Sequence, residues 1–148
     1  MRLDPSFVGR TYPPTAPYLV GREKIREFAR AIGATDPAHY EPEAARALGH
    51  PDVVAPPTFP IVVTMAAGQQ IIDDPALGVD YSRVVHGDQR FVYTRSVVAG
   101  DDLVCVSAVA DIVSRGGHGF LTTRTEVTTT AGDPVVTVWS KLVVRGES

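Results

Sequence analysis

Between Arg22 and Ile32, apolar residues recur at i, i+3, i+4 and i+7: Ile25, Phe28, Ala29 and Ile32. That spacing places them on one face of an α-helix, and Gly33 is a natural stop. Pro42–Leu48 reads as a second, short helix, with Pro at its start and Gly49 just past its end. From Phe59 to Ile72 the pattern changes. Phe59, Ile61, Val62, Val63, Met65, Ala66, Ala67 and Ile71 leave no polar face, and a helix that is apolar nearly all round is a buried one. Thr58 is placed to cap it, and Pro60 is tolerated in its first turn. The β-branched Ile61–Val63 alone would suit a buried strand, but the length of the run and the Met-Ala-Ala that follows favour helix.

After the turn signals Asp73-Asp74-Pro75 and Gly78, Thr, Val, Tyr and Phe dominate. Four strands are predicted, Val84–Ser96, Leu103–Ser114, Phe120–Thr130 and Pro134–Val144. Gly100-Asp101, Arg115-Gly116-Gly117 and Ala131-Gly132-Asp133 supply the turns. The last two strands read as a long antiparallel hairpin, and the alternation in Phe120–Thr130 suits a half-buried sheet. Upstream, Pro5, Pro13, Pro14 and Pro17 mark an extended lead-in, with Ala16–Val20 as an edge strand. Short helices, one long apolar helix and then antiparallel strands make an α+β layout. A sheet with one apolar face needs a cover, and Phe59–Ile72 is the apolar segment able to supply it. A long antiparallel sheet wrapped around one central buried helix is the hot-dog fold, although the same element order is compatible with other α+β folds.

The 148 residues suit one domain, 1–148, and a hydrophobic fraction of 44% is enough for a core. Net charge is −3, with no basic run and no aromatic–basic interleaving, so nucleic acid is not an expected partner. No run approaches the ~18 apolar residues of a membrane span, and Met1–Arg10 lacks the apolar stretch of a signal peptide. A cytoplasmic protein without a membrane partner is expected. The single cysteine, Cys105, lies in an alternating apolar stretch and reads as a buried structural thiol. The four histidines show no metal-ligand spacing, and there is no phosphate loop or nucleophile elbow, so neither metal nor cofactor is expected. His50, His86 and His118 sit beside glycines and read as surface or structural groups, and Trp139 as core or interface.

The segment Gly33-Ala34-Thr35-Asp36-Pro37-Ala38-His39-Tyr40-Glu41-Pro42 resembles the active-site stretch of the MaoC-like, (R)-specific enoyl hydratase/dehydratase family, G-D-x-N-P-L-H-x-D-P. Ala55-Pro56-Pro57-Thr58-Phe59 and Arg90–Asp101 follow in the family's order. Val20–Ala29 and Gly49–Phe59 are similar to the FAS1-like N-terminal dehydratase subgroup, of UPF0336 type. That subgroup includes the non-catalytic subunits of actinobacterial (3R)-hydroxyacyl-ACP dehydratases. The resemblance implies water addition to, or removal from, an acyl-CoA or acyl-carrier-protein thioester at Cα–Cβ. Such a reaction needs an acid/base pair and a donor to the thioester oxygen.

Carried over residue by residue, His39 stands at the family's catalytic His, whereas the catalytic Asp position holds Ala34. Asp36 lies at the family's Asn, three residues from His39 instead of five. The oxyanion donor's position holds Pro57, which has no N–H. Thr58 keeps an N–H and a hydroxyl that can cap the helix or face a thioester. Met65, Ala66 and Gly68 belong to a stretch of small residues after a flexible one, which either leaves room for an acyl tail or packs tightly on the sheet. Arg90 and Arg95 can meet the phosphate of CoA or of a carrier, or stand as solvated strand positions.

The resemblance therefore implies a substrate-binding subunit that forms a heterodimer with a catalytic hot-dog subunit, or a homodimer. Three alternatives stay open. One is a self-sufficient homodimeric hydratase using His39 with Asp36. Another is an acyl-CoA thioesterase, for which Gln69, Gln70, Asp73 and Asp74 are the nearest polar groups on or past the helix. The last is a non-enzymatic acyl-thioester binding module.

Overall fold

The computed structural model describes residues 2–146. Its elements are β1 (Tyr18–Leu19), α1 (Arg22–Ala31), α2 (Pro42–Ala47), α3 (Ile61–Ile72), β2 (Val84–Tyr93), β3 (Asp102–Arg115), β4 (His118–Thr129) and β5 (Pro134–Val144). The strands form one antiparallel sheet in the order β1-β3-β4-β5-β2, curled against α3. This is the expected hot-dog fold. β5 keeps its predicted bounds, and β4–β5 is the expected hairpin. β2 ends three residues short of the predicted Ser96. There the Arg95 guanidinium turns away to hold Asp101 through two bonds of 2.9 Å. The predicted edge strand shrinks to Tyr18–Leu19, paired with Leu103 and Asp102.

α1 forms where predicted, with Glu23 in its first turn and Arg30 in its last, each at the end where the helix dipole favours its charge. Ile25 and Ala29 are buried, and Phe28 meets Phe59 edge-on at 5.5 Å between ring centres. Ile32 departs from the expected apolar face. It lies beyond the last helical turn and is 50% exposed, because Gly33 at φ +72° already bends the chain away.

α3 starts at Ile61, two residues later than predicted, with Pro60 as the preceding residue and no side-chain cap. Thr58 is exposed and does not act as that cap. Turn hydrogen bonds explain this: Ile61 N–H donates to Thr58 O, Val62 N–H to Phe59 O and Val63 N–H to Pro60 O, so the donors a cap would serve are already used. Val63, Thr64, Ala67 and Ile71 are buried, and the helix packs chiefly on β3 and β4. One core cluster gathers Phe59, Val63 and Ala67 with Ile25, Leu103, Cys105, Val127, Val136 and Val138. A second joins Ile71 to Leu3, Leu77, Val109, Ile112, Leu121 and Leu142. The expectation of a helix buried all round is corrected: Met65 is 60% exposed, and Ala66 and Gln69 are exposed beside it. One sheet covers one side of a helix, and the other apolar side of α3 is left open.

The sheet's register slips at three places, at Val135 of β5 and at two bulges that set which residues of β2 and β3 face α3. On β2 the register slips between His86 and Asp88, and on β3 between Val109 and Asp111. Each extra residue reverses the alternation that follows it. Gln89 therefore pairs with Ser140 on the α3 side, while Asp88 pairs with the exposed Lys141 on the outer side. The Pro-rich lead-in follows the β3 edge, with Gly9 N–H donating to Val109 O, Tyr12 N–H to Ser107 O and Thr15 N–H to Cys105 O. That cover leaves β2 as the uncovered edge strand of the sheet.

Candidate functional site

The motif His39 sits in a tight turn, Pro37–His39, between α1 and α2. The Asp36 carboxylate accepts the Ala38 N–H at 3.0 Å and so closes this turn. Tyr40 donates its hydroxyl to Ala34 O at 2.5 Å, and Arg26 Nε donates to Tyr40 O at 2.9 Å, which fixes the loop on α1. The His39 ring is half-buried, and its Nδ1 lies 2.6 Å from Val54 O. A carbonyl can only accept, so Nδ1 carries the proton, and in the neutral ring Nε2 keeps the free lone pair. Its ring partner among the described residues is thus a backbone carbonyl and not a carboxylate. Ala34 offers a methyl group where the family motif offers an acid, and the Asp36 carboxylate is exposed and engaged with backbone.

Pro57 and Thr58, at the turn leading into α3, are exposed. Pro57 O accepts the Tyr93 hydroxyl at 2.6 Å, and burial pushes that phenol well above its ordinary pKa. Buried Phe59 anchors the turn from beneath.

A separate cavity of about 100 Å³ lies between α3 and the half of the sheet that the helix leaves uncovered. Met65 and Gly68 line it, as do Thr64 and Gln69 on the helix; Thr123, Thr125, Ser140 and Leu142 supply the sheet wall, with Tyr81 and His86 among the remaining lining residues. Gly68 has open space where a Cβ would stand. Of the residues singled out in the sequence, the structure brings Met65, Gly68, Gln69 and His86 together here. Ala66 is exposed and outside the wall; His39 and Asp36 lie in the turn between α1 and α2, Pro57 and Thr58 in the turn into α3, and none of the four lines the cavity. Thr64, Thr123, Thr125 and Ser140 escaped the sequence argument. A signal was present: Thr123 and Thr125 occupy the same alternating positions as the apolar Leu121 and Val127.

The wall is more polar than a plain hydrocarbon slot. Ser107 and Thr125 share a hydrogen bond of 2.6 Å, and Ser140 donates to Gln89 Oε1 at 3.0 Å. Two buried polar atoms, Thr64 Oγ1 and Gln89 Nε2, have no hydrogen-bond partner.

Other candidates have structural places. Arg95 is clamped to Asp101, Arg90 stacks on the Trp139 ring at 4.0 Å, and His118 Nδ1 accepts the Gly146 N–H. Cys105 is buried, and burial pushes its thiol up to about 11. Among the described residues no cluster of three or more His, Cys, Asp or Glu is placed to hold a metal, and no helix is long and apolar enough to cross a membrane.

Compared with known proteins, residues 6–138 match the model of the FAS1-like, dehydratase domain region. The chain belongs to that family. A UPF0336 protein of Streptomyces coelicolor is 60% identical to this FAS1-like dehydratase-region protein over 145 residues, 98% of this chain and 97% of that one. Among solved structures, a C-terminally truncated HadBC (3R-hydroxyacyl-ACP dehydratase) complex from Mycobacterium tuberculosis superposes with a TM-score of 0.84 at 32% identity, covering 97% of this chain and 99% of that one. A MaoC-like dehydratase gives a TM-score of 0.88 at 34% identity, covering 95% of this chain and 42% of that longer one. The ChsH1–ChsH2 complex of M. tuberculosis, at 20% identity and a TM-score of 0.70 over 93% of this chain and 85% of that one, shares the fold. The family is thus one of hot-dog hydratases and dehydratases, MaoC-like in sequence and architecture.

Proposed function

We propose that this protein is the substrate-binding subunit of a (3R)-hydroxyacyl-thioester dehydratase, equivalently an (R)-enoyl hydratase, that acts on acyl-CoA or acyl-carrier-protein substrates. The chain contributes the acyl cavity, and a hot-dog partner supplies the acid–base pair. The surroundings of His39 carry this assignment. Its imidazole is held by Val54 O, Ala34 stands where the partner acid belongs, and Asp36 spends its carboxylate on the Ala38 N–H. An imidazole alone can take one proton, but removing the α-proton and protonating the β-hydroxyl in one site calls for two poised groups. Pro57 adds to the case, since the peptide nitrogen at the oxyanion position has no hydrogen to give.

Two surfaces favour a partner. The β2 edge is uncovered, with Val85 41% and Val92 51% exposed, and the outer side of α3 presents Met65. Exposed edges and apolar helix faces are normally paired or covered. The structural relatives include two named as complexes.

Hydration of a short trans-2-enoyl-CoA, followed by loss of enone absorbance, tests the assignment. The purified chain alone is expected to give no turnover, and addition of a catalytic hot-dog subunit is expected to start it. Turnover by the chain alone that His39→Ala abolishes would instead make it a self-sufficient hydratase.

A further inference from the structure

The cavity between α3 and the sheet holds more hydrogen-bonding capacity than its own walls use. Thr64 Oγ1 is buried, its residue only 5% exposed, and has no partner. A threonine inside a helix ordinarily returns its hydroxyl to the carbonyl four residues back. Here that carbonyl, Pro60 O, receives the Thr64 N–H at 2.9 Å, and the hydroxyl is without a partner in the cavity wall. Across from the helix, Gln89 has one end of its amide satisfied by Ser140, a residue of the same wall, and the other end buried without a partner. Turning the amide over exchanges the orphaned atom and leaves one orphan. Ser140 is the register partner of both Gln89 and Thr123, so the unmet groups flank one polar row on the sheet.

Leaving a buried polar group unmatched is costly to the folded state. Valine has nearly the shape of threonine and would carry no such cost in a slot made for bare hydrocarbon. We infer that the cavity is built for an acyl group carrying an acceptor oxygen (a keto, hydroxyl or ether function beyond the β-carbon), with Thr64 as its specificity-determining residue and Gln89, behind Ser140, as a positioning residue. This rests on the acyl-thioester assignment above and narrows its substrate class. Thr64 lies about one turn into α3, roughly 5 Å along the axis from its start. Met65, Ile61, Ile72 and Leu142 provide the apolar surface for the chain on either side of it.

The test is calorimetric binding of decanoyl-CoA and of decanoyl-CoAs bearing one keto group at successive positions beyond the β-carbon, by the purified chain. Thr64→Val, Thr64→Ser and Gln89→Leu are titrated in parallel, and each variant is first checked for a single cooperative melting transition at or above the parent's temperature. One keto position is expected to bind about tenfold tighter than plain decanoyl-CoA, the ratio produced by one matched buried hydrogen bond. Thr64→Val and Gln89→Leu are expected to erase that ratio by weakening the keto ligand alone, and Thr64→Ser to keep it. Equal binding across the series, or a ratio that survives both Thr64→Val and Gln89→Leu, overturns the inference and leaves the acyl-binding assignment standing. Absence of binding by every acyl-CoA and by the matching acyl-carrier-protein thioesters overturns both.

Discussion

At the scale of single residues, charge and burial fix pH behaviour more firmly than they fix chemistry. Tyr12 donates to Asp74 at 2.7 Å, and Arg10 lies 3.3 Å from the same carboxylate, so the lead-in is tied to the segment just past α3. Burial, helped by Asp74, pushes the Tyr12 phenol from 10.0 up to about 12, while the Tyr12 hydrogen bond holds Asp74 below 3.8. The signs follow by linkage. A raised phenol pKa favours the protonated form when folded, so its stabilisation is whole below pH 10 and lost as pH rises towards 12. A lowered carboxyl pKa favours the ionised form, so its stabilisation is present above pH 3.8 and lost as pH falls through the folded value. Tyr12→Phe is expected to lower the melting temperature at neutral pH and to flatten both outer limbs of a pH–stability profile. An unchanged profile would show that the tie contributes nothing. Cys105 belongs to the same class. With its thiol at about 11 and its side chain inside the core, it is expected to react with an aromatic disulfide reagent at neutral pH only after denaturant unfolds the chain. His39, by contrast, was recognisable from its motif, yet its partner was not. Only the folded loop reveals that Val54 O holds its ring, because the two residues are fifteen apart and meet through the Val54–Val98 bridge region.

At the scale of elements, Phe59 and the two bulges decide what α3 can do. Phe59 is fully buried at the turn into the helix and packs edge-on against Phe28 of α1, so it joins α1, the start of α3 and the sheet. Phe59→Ala is expected to cost about 3–5 kcal/mol of unfolding free energy by urea titration, and Phe59→Leu clearly less. Gly87 is the extra residue of the β2 bulge, and a Cβ there would stand 3.0 Å from Val143 Cγ2. Gly87→Val should therefore destabilise by about 1–3 kcal/mol through overpacking, and should disturb the orientation of Gln89 more than that of Phe91, which lies farther along the strand. The helices and strands themselves were legible, because 3.6-fold and two-fold periodicities are local properties of the chain. The bulges were not. A bulge is set by the register of the neighbouring strand, and no spacing within Val84–Tyr93 marks where that register slips.

At the scale of the whole molecule, one sheet and one helix leave two unfinished surfaces, the β2 edge and the outer side of α3. Val85→Lys together with Val92→Lys is expected to abolish co-elution with the catalytic hot-dog subunit in size-exclusion chromatography, with this chain's own melting transition retained. Association that survives both charges would place the interface elsewhere. The sequence by itself determined the α+β order, which resides in periodicity and composition, and its contiguous motifs carried the resemblance that points to the family, to the hot-dog architecture and to Ala34 at the position where the family keeps an acid. It also singled out Met65, Ala66 and Gly68, a flexible residue followed by small ones, as either acyl space or tight packing; Met65 and Gly68 line the cavity and Ala66 does not. Tertiary structure alone decided that α3 is covered on one side only, that Thr58 caps nothing, and that Gln89 and not Asp88 turns towards the helix. It alone brought Thr64, Thr123 and Ser140, from one helix and two strands, around a single space. The physical reason is the same throughout. Periodicity records which face of an element is apolar, whereas a cavity is the volume that several packed faces fail to fill, and that remainder depends on how far each element reaches across the next.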